Sequence, residues 1–210
     1  MKILVTGFEP FGGSPLNPSE QVVRALAGQG ELAPEPVSRA IVTTAILPVD
    51  RFRGPEALRS ALERTQPDAV LCLGEAARRA TLSIERVAIN LMDYRIPDNA
   101  GQQVTDTPIV QGGPAAYFAT LPVRAMLAAV QGAGVPVELS LSAGTYLCNQ
   151  VFYELLHQLC DREPAVPAGF IHLPSLPEQA SQASPPYPSM ALDIMLKGVR
   201  AALAVLALNQ

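Results

Sequence analysis

At 210 residues, 49% of them hydrophobic, the chain is long enough to bury one substantial core and short for two ordinary domains. Its formal net charge of -4 supplies no basic footprint for nucleic acid or for an anionic membrane surface. Three cysteines, Cys72, Cys148 and Cys160, cannot close into a complete disulfide set, which points to a reducing cytoplasm with a free thiol available for chemistry.

The opening residues read as strand rather than as a secretory leader, since no charged segment, apolar signal core or cleavage site precedes them. Ile3 to Thr6 is the predicted first strand, and it runs into "GFEPFGG", residues 7–13. Gly7 and Gly12 have the spacing of a phosphate-cradling loop, yet Gly13 stands where the lysine of such a loop belongs. Two phenylalanines and a proline also fill a stretch that is small and backbone-rich in phosphate sites. The loop is either a phosphate cradle without its cation or a support for something apolar.

Asn17-Pro18 supplies a cap and a first helical residue for a helix beginning over Pro18 to Leu26. Val37 to Leu47, rich in β-branched residues, predicts a strand, with a helix to follow from near Asp50 to Arg64. Asp68 to Leu73 is a continuous apolar run ending in Gly74, the pattern of a strand covered on both faces. Thr81 to Asn90 predicts a further strand, Ala115 to Gln131 has helical spacing, and Val137 to Ser142 is a short strand. Asn149 to Asp161 reads as a helix with Val151, Leu155 and Leu156 on its inner side, and Ala168 to Leu173 as an apolar strand. Pro174 to Pro188 is a proline- and serine-rich connection. Met190 to Leu208 is apolar enough to suggest a membrane span, but Asp193, Lys197 and Arg200 interrupt it, which favours an amphipathic helix on the core. The alternation of strands and helices predicts a single α/β domain over residues 1–210, a three-layer α/β/α sandwich with a mostly parallel central sheet.

The chemistry narrows quickly, because the chain has two histidines, His157 and His172. No Cys-x-x-Cys or His-x-x-x-His pair occurs, so no metal site is expected. A cysteine nucleophile needs partial exposure, an environment that favours thiolate and an imidazole within reach. Cys148 lies where "LSLSAGTYL" turns into the helix "NQVFYELLHQL", so free amides and the positive helix end would favour its thiolate. Cys72, inside "AVLCLG", reads as a small core residue, and Cys160, at the negative end of the same helix as Cys148, reads as structural. His157 is nine residues along that helix from Cys148, about 13 Å along the axis, too far to reach back. His172 ends "GFIHLP" at the strand-to-loop edge where sites gather in open parallel sheets, although a satisfied core histidine fits the same pattern. Glu85, in "IERVAIN", could orient an imidazole; a charged residue near a strand start is also commonly just solvated.

Together, "VTGFEPFGG…NPS", "ERVAIN…RIPDN", "SAGTYLCN" and "HLP", in this order, resemble the signature of the pyroglutamyl peptidase I, or pyrrolidone-carboxylate peptidase, family of cysteine peptidases. The resemblance runs from residue 3 to about 174. It implies removal of an N-terminal pyroglutamyl residue from peptides through a thioester, with Cys148 as nucleophile, His172 as base and Glu85 as orienting carboxylate. It also implies an α/β/α sandwich, assembly into homotetramers, peptide partners that carry N-terminal pyroglutamate, and no cofactor. The Cys148 backbone amide is a candidate oxyanion donor. The resemblance suggests Arg95 as the second donor; the alternative is a pair with Asp93 or Asp98.

The resemblance further implies that Phe8 and Phe11 flank the pyroglutamyl ring, the alternative being two core aromatics. Tyr146 and Leu147 would add wall, and Asn17 would fix the loop as a cap or through backbone bonds. One departure stands out. Relatives commonly have Gly-Gln-Ala-Gly-Gly-Arg after the "LCLG" strand, whereas residues 74–79 here are Gly-Glu-Ala-Ala-Arg-Arg. Glu75 can accept a lactam N–H but cannot donate while ionised. Two rival readings, a nucleotide- or phosphate-binding module on Gly7 to Gly13 and a nucleoside phosphorylase-like enzyme on the same sandwich, are opposed by the missing lysine and by the Cys148 and His172 motifs.

Overall fold

The computed structural model describes residues 1–27 and 40–208. In chain order the elements are β1 (Lys2–Phe8), α1 (Pro18–Ala27), β2 (Ile41–Leu47), α2 (Arg53–Thr65), β3 (Ala69–Glu75), β4 (Leu82–Glu85) and β5 (Val87–Ile89). They continue with β6 (Ala116–Phe118), α3 (Val123–Gly132), β7 (Val137–Ser140), α4 (Leu147–Leu159), β8 (Ala168–Leu173), α5 (Pro177–Ser181) and α6 (Leu192–Leu208). The main sheet has six strands in the order β2-β1-β3-β8-β4-β7, and every pairing in it is parallel except that of β4 with β8.

Both faces of the sheet are covered, which is why β1, β3 and β8 are buried along almost their whole length and mostly apolar at successive positions rather than alternately. On one side Ile3, Val5, Leu71, Ile84 and Ile171 pack against α1, α3 and α6 through Val23, Met126 and Leu203. On the other, Leu4, Val70, Cys72 and Phe170 pack against α2 and α4 through Leu58, Leu62, Val151 and Phe152. Met195, Val199, Ala202, Leu203 and Leu206 form the buried stripe of α6, as the amphipathic reading requires. Among the described residues, no helix is long and apolar enough to cross a membrane.

The structure departs from the sequence expectations in identifiable places. The strand expected over 37–47 begins at Ile41, and residues 37–39 lie outside the described residues. Thr81 to Asn90 is not one strand. β4 stays in the main sheet, whereas β5 leaves it and pairs antiparallel with β6 in a separate two-stranded sheet. The change of partner is fixed by Asn149, whose Oδ1 accepts from Ile89 N at 2.9 Å and whose Nδ2 donates to the carbonyls of Ile89 and Leu91.

The helix expected from Ala115 therefore starts only at Val123, because residues 116–118 are strand and Pro122 disfavours helical backbone at Leu121. The connection over 174–188 contains the short helix α5, opened by Pro177 and closed back on itself by Gln179 Oε1, which accepts from Leu176 N at 2.8 Å. Finally, α4 begins two residues before the expected Asn149, which places Cys148 inside its first turn.

Gly7 sets how closely α1 can approach β1. A Cβ there would lie 2.6 Å from the Ser19 carbonyl oxygen, backbone that cannot swing aside. Gly7→Ala should cost about 1–3 kcal/mol. That loss would appear in thermal unfolding as a Tm lower by about 2–4 °C per kcal/mol. An unchanged Tm would mean that α1 slides freely on the sheet.

Candidate active site

The C-terminal ends of β1, β3 and β8, with the N-terminus of α4 and the α5 segment, surround a cleft of about 750 Å3. Phe8, Phe11, Asn17, Glu75, Arg79, Arg95, Tyr146, Leu147, Cys148 and His172 all line it. Ten positions from five separate stretches of the chain thus converge, and nine of them are residues singled out from the sequence. Glu85 lies beneath the cleft rather than on its wall.

Glu85 is wholly buried, and its Oε1 meets His172 Nδ1 at 2.8 Å and Arg79 Nη1 at 2.8 Å. The solvated alternative for this residue is therefore excluded. Burial pushes its carboxyl up, but the hydrogen bond and charge of His172, helped by Ser140 and Arg79, more than offset that and hold it below the ordinary glutamate range. A carboxylate only accepts hydrogen bonds, so His172 must donate from Nδ1, which leaves Nε2 as the ring's acceptor. Burial lowers the basicity of His172, the Glu85 carboxylate works against that, and the Arg79 charge adds to it, for a net value below the ordinary histidine range. His172 is thus a neutral imidazole near pH 7, oriented from below.

The position of Cys148 is set by a missing side chain. Gly74 is in register with His172 on the neighbouring strand. A Cβ at Gly74 would lie 2.7 Å from Cys148 Sγ and 2.8 Å from the Phe170 ring. The sulfur occupies the space above Gly74, one strand across from the imidazole. Phe170, two residues before His172 on the same face, packs against its ring at 4.8 Å between centroids.

The sequence expectation that the helix end makes Cys148 a thiolate is corrected here. Burial first, then the charges of Glu85 and Glu75, push its thiol up to about 12 against the smaller pull of Arg79. The resting pair is neutral thiol and neutral imidazole, so the thiol could act as a nucleophile only after giving up its proton.

The "GFEPFGG" loop is held from both sides. Asn17 Oδ1 accepts from Ser19 N and Ser19 Oγ, its Nδ2 donates to Glu9 O, and Ser19 Oγ accepts from Phe8 N. Glu9 Oε1 takes the Val49 amide and Asn99 Nδ2, and Asn99 Nδ2 also donates to Pro10 O. Gly12 and Gly13 turn the chain with positive φ values of 61° and 80°. Phe8 is almost wholly buried yet reaches the cleft, so the core and wall readings both apply to it. Phe11 is partly buried and faces Tyr146 at 6.0 Å between ring centroids. Tyr146 is fixed in turn by its Oη, which donates to Pro97 O at 3.0 Å, and by edge packing on Tyr94.

Arg95 is exposed on the cleft wall and pairs with neither Asp93 nor Asp98. Asp98 is instead committed to the backbone amides of Arg51, Ala100 and Gln102. Glu75 receives Ser175 Oγ at 2.6 Å and Gln179 Nε2 at 3.2 Å to each of its oxygens. Burial raises its carboxyl above the ordinary range, and these two donors only partly pull it back. Ser175 and Gln179 were invisible from sequence, as was Arg79, because each acts across the sheet edge. A cation just after the C-terminal end of a strand was the only available hint for Arg79.

The remaining candidates fall outside the site. Cys72 is a buried core thiol pushed up to about 12 by desolvation. His157 packs against Tyr153 and has its Nδ1 2.8 Å from Tyr117 Oη, well away from the cleft. Cys160 is exposed rather than structural; its Sγ donates to His157 O at 3.1 Å at the far end of α4.

Comparison with known proteins finds relatives along the whole chain. The family model described as "Pyroglutamyl peptidase" matches residues 1–209. Pyrrolidone-carboxylate peptidase from Gloeobacter violaceus is 49% identical over 210 residues, covering 100% of this chain and 98% of that protein. The enzyme of the same name from Vibrio vulnificus is 48% identical over 202 residues, covering 94% of this chain and 89% of its own. The crystal structure of pyroglutamyl peptidase I from Bacillus amyloliquefaciens superposes with a TM-score of 0.91 at 38% identity, covering 98% of this chain and 96% of that one.

The Glu75 environment has a measurable consequence. Because its folded value lies above the unfolded one, Glu75 is protonated longer in the folded state, and wild-type stability falls as pH rises from 4.5 through the raised folded value. Glu75→Gln keeps an acceptor for Ser175 and removes the titration. Its Tm relative to wild type should therefore climb between pH 4 and 8; a pH-independent difference would show that the carboxyl is freely solvated.

Proposed function

The chain belongs to the pyroglutamyl peptidase family, whose members remove N-terminal pyroglutamate from peptides by cysteine chemistry, and we propose that Cys148, His172 and Glu85 carry out that reaction here. The observation that carries the assignment is the seating of Cys148 Sγ over Gly74, beside an imidazole whose other nitrogen is committed to a buried carboxylate. The chain is a cysteine-type hydrolase. The phosphate-binding and phosphorylase readings are not supported: the relatives are pyroglutamyl peptidases, and the loop that suggested a phosphate cradle brings aromatics, not a cation, to the cleft.

His172 Nε2 takes the proton from Cys148 Sγ as the sulfur attacks the carbonyl that joins pyroglutamate to the next residue. The tetrahedral oxyanion is met by the Cys148 amide, in the first turn of α4 where N–H groups have no carbonyl behind them, and by Arg95. Imidazolium returns the proton to the leaving amine, and the peptide departs. Water, deprotonated by the same nitrogen, then attacks the thioester; pyroglutamate leaves and the thiol is restored.

Pyroglutamate is an uncharged lactam, so its pocket needs no free carboxylate to hold an ammonium group, and both oxygens of Glu75 are already engaged by Ser175 and Gln179. Phe8, Phe11, Tyr146 and Leu147 provide flat apolar wall, and Glu75 accepts the lactam N–H. Asn17 keeps the loop in place through Glu9 O and Ser19. The same reading extends to one peptidase domain over residues 1–210 acting in a reducing cytoplasm, in keeping with three unpaired thiols, and to the homotetramer implied by the family resemblance.

Purified protein should hydrolyse a chromogenic pyroglutamyl amide and leave the matching prolyl amide intact, and Cys148→Ala should reduce the rate to background. Full activity in Cys148→Ala would remove the thiol from the mechanism. Phe11→Ala should lower kcat/KM about ten-fold, chiefly through KM, since it deletes ring-stacking surface. Unchanged KM and kcat would mean that the ring binds elsewhere.

A further inference from the structure

We propose that Arg79 is a positioning residue for the reaction: it locks Glu85 in the rotamer that serves His172 and keeps the imidazole from holding a proton before the thiol supplies one. The inference rests on the Cys148-His172-Glu85 reading and extends it by one residue.

The geometry is specific. Arg79 Nη1 donates to the same oxygen, Glu85 Oε1, that His172 Nδ1 contacts, both at 2.8 Å. Its other terminal nitrogen, Nη2, donates to Ser142 O at 3.1 Å, in the segment that leads into the nucleophile's helix. One guanidinium therefore spans the carboxylate beneath the imidazole and the backbone approaching Cys148, a fork that a lysine ammonium cannot reproduce. A surface ion pair would contribute little, but Glu85 is 0% exposed and the Arg79 side chain is 30% exposed, so the contact is largely sheltered from water.

The charge matters as much as the fork. Alone, a buried carboxylate under His172 would draw a proton onto the imidazole and convert the base into its inactive acid form. Arg79 neutralises that carboxylate and also repels imidazolium directly. The other ionisable groups on the cleft are Glu75 from β3, Cys148 from α4, Glu178 from α5, Arg95 and the phenols of Tyr146 and Tyr187. Glu75 is already held by Ser175 and Gln179, and Arg95 makes no ion pair among the described residues. Arg79 is the cation in contact with the acid-base pair.

The test compares Arg79→Met, which loses charge and fork, with Arg79→Lys, which keeps the charge. Two readouts apply: the acid limb of kcat/KM, and the NMR titration of His172 in a Cys148→Ala background. The second is readable because the chain has two histidines and His157→Gln identifies the other. In Arg79→Met the His172 midpoint should rise by about one pH unit, the acid limb should move to higher pH with it, and kcat on the plateau should fall about ten-fold. Arg79→Lys should keep the midpoint near wild type while kcat still falls.

Circular dichroism checks folding, and Arg79→Gln replaces the methionine variant if that one unfolds. A His172 midpoint that stays put or falls when the charge is removed overturns the proposal. Failure of the underlying reading looks different: Cys148→Ala or His172→Gln would then hydrolyse substrate at the wild-type rate, while the His172 titration still reports on Arg79.

Discussion

A carboxylate wholly out of water is the constraint around which this molecule is arranged. Glu85 would be costly to bury alone, and its Oε1 is satisfied by two cations or potential cations drawn from different parts of the chain. Meeting that need fixes the end of β4 against the middle of β8 and folds the segment after β3 back over both. The antiparallel step in an otherwise parallel sheet supplies the depth. Because β4 runs against β8, Ser83 lies opposite His172 and Glu85 lies opposite Phe170, one step inward. A parallel β4 would have put its last residue at the wet rim, where a carboxylate orients an imidazole poorly.

Above the carboxylate, the site is shaped by what is missing. Gly74 leaves a gap between two strands, and the sulfur of Cys148 and the edge of Phe170 fill it. Burial and two neighbouring carboxylates keep that sulfur protonated at rest, so in the proposed reaction the helix terminus would serve the oxyanion more than the thiol. A resting site without net charge at its centre is suited to a substrate whose own amine has been neutralised by cyclisation. The apolar loop of residues 7–13 repeats that logic on the opposite wall.

Much of this was legible in the sequence where a residue's role follows from its place in its own element. β1, β3 and β8 were readable because strands covered on both faces leave unbroken apolar runs, and Cys148 and His172 because each ends or begins such an element. What was not legible depends on partners distant in the chain. Nothing local in residues 81–90 marks the break at Arg86; it arises because Asn149 captures the backbone of Ile89 and because residues 116–118 offer β5 another neighbour. Those same three residues have helix-compatible spacing and become strand only through that pairing. Arg79 could not be distinguished from Arg78 until β4 was in place: one meets Glu85, the other lies over the ring of Tyr187. The ionisation of Cys148 was misjudged for a related reason, since a helix end can be seen in a sequence and the carboxylates around it cannot.

The two ends of α4 give this protein two thiols of opposite accessibility. Cys148 is half-buried in the cleft at one end, and Cys160 stands open to solvent at the other. An electrophile added in solution meets Cys160 whether or not the cleft is occupied. The stoichiometry of thiol labelling is therefore not a count of active sites, and a ligand that protects the cleft will spare activity while leaving a labelled protein. Replacing Cys160 with serine would turn a thiol-specific probe into a direct titrant of Cys148, since Cys72 is buried.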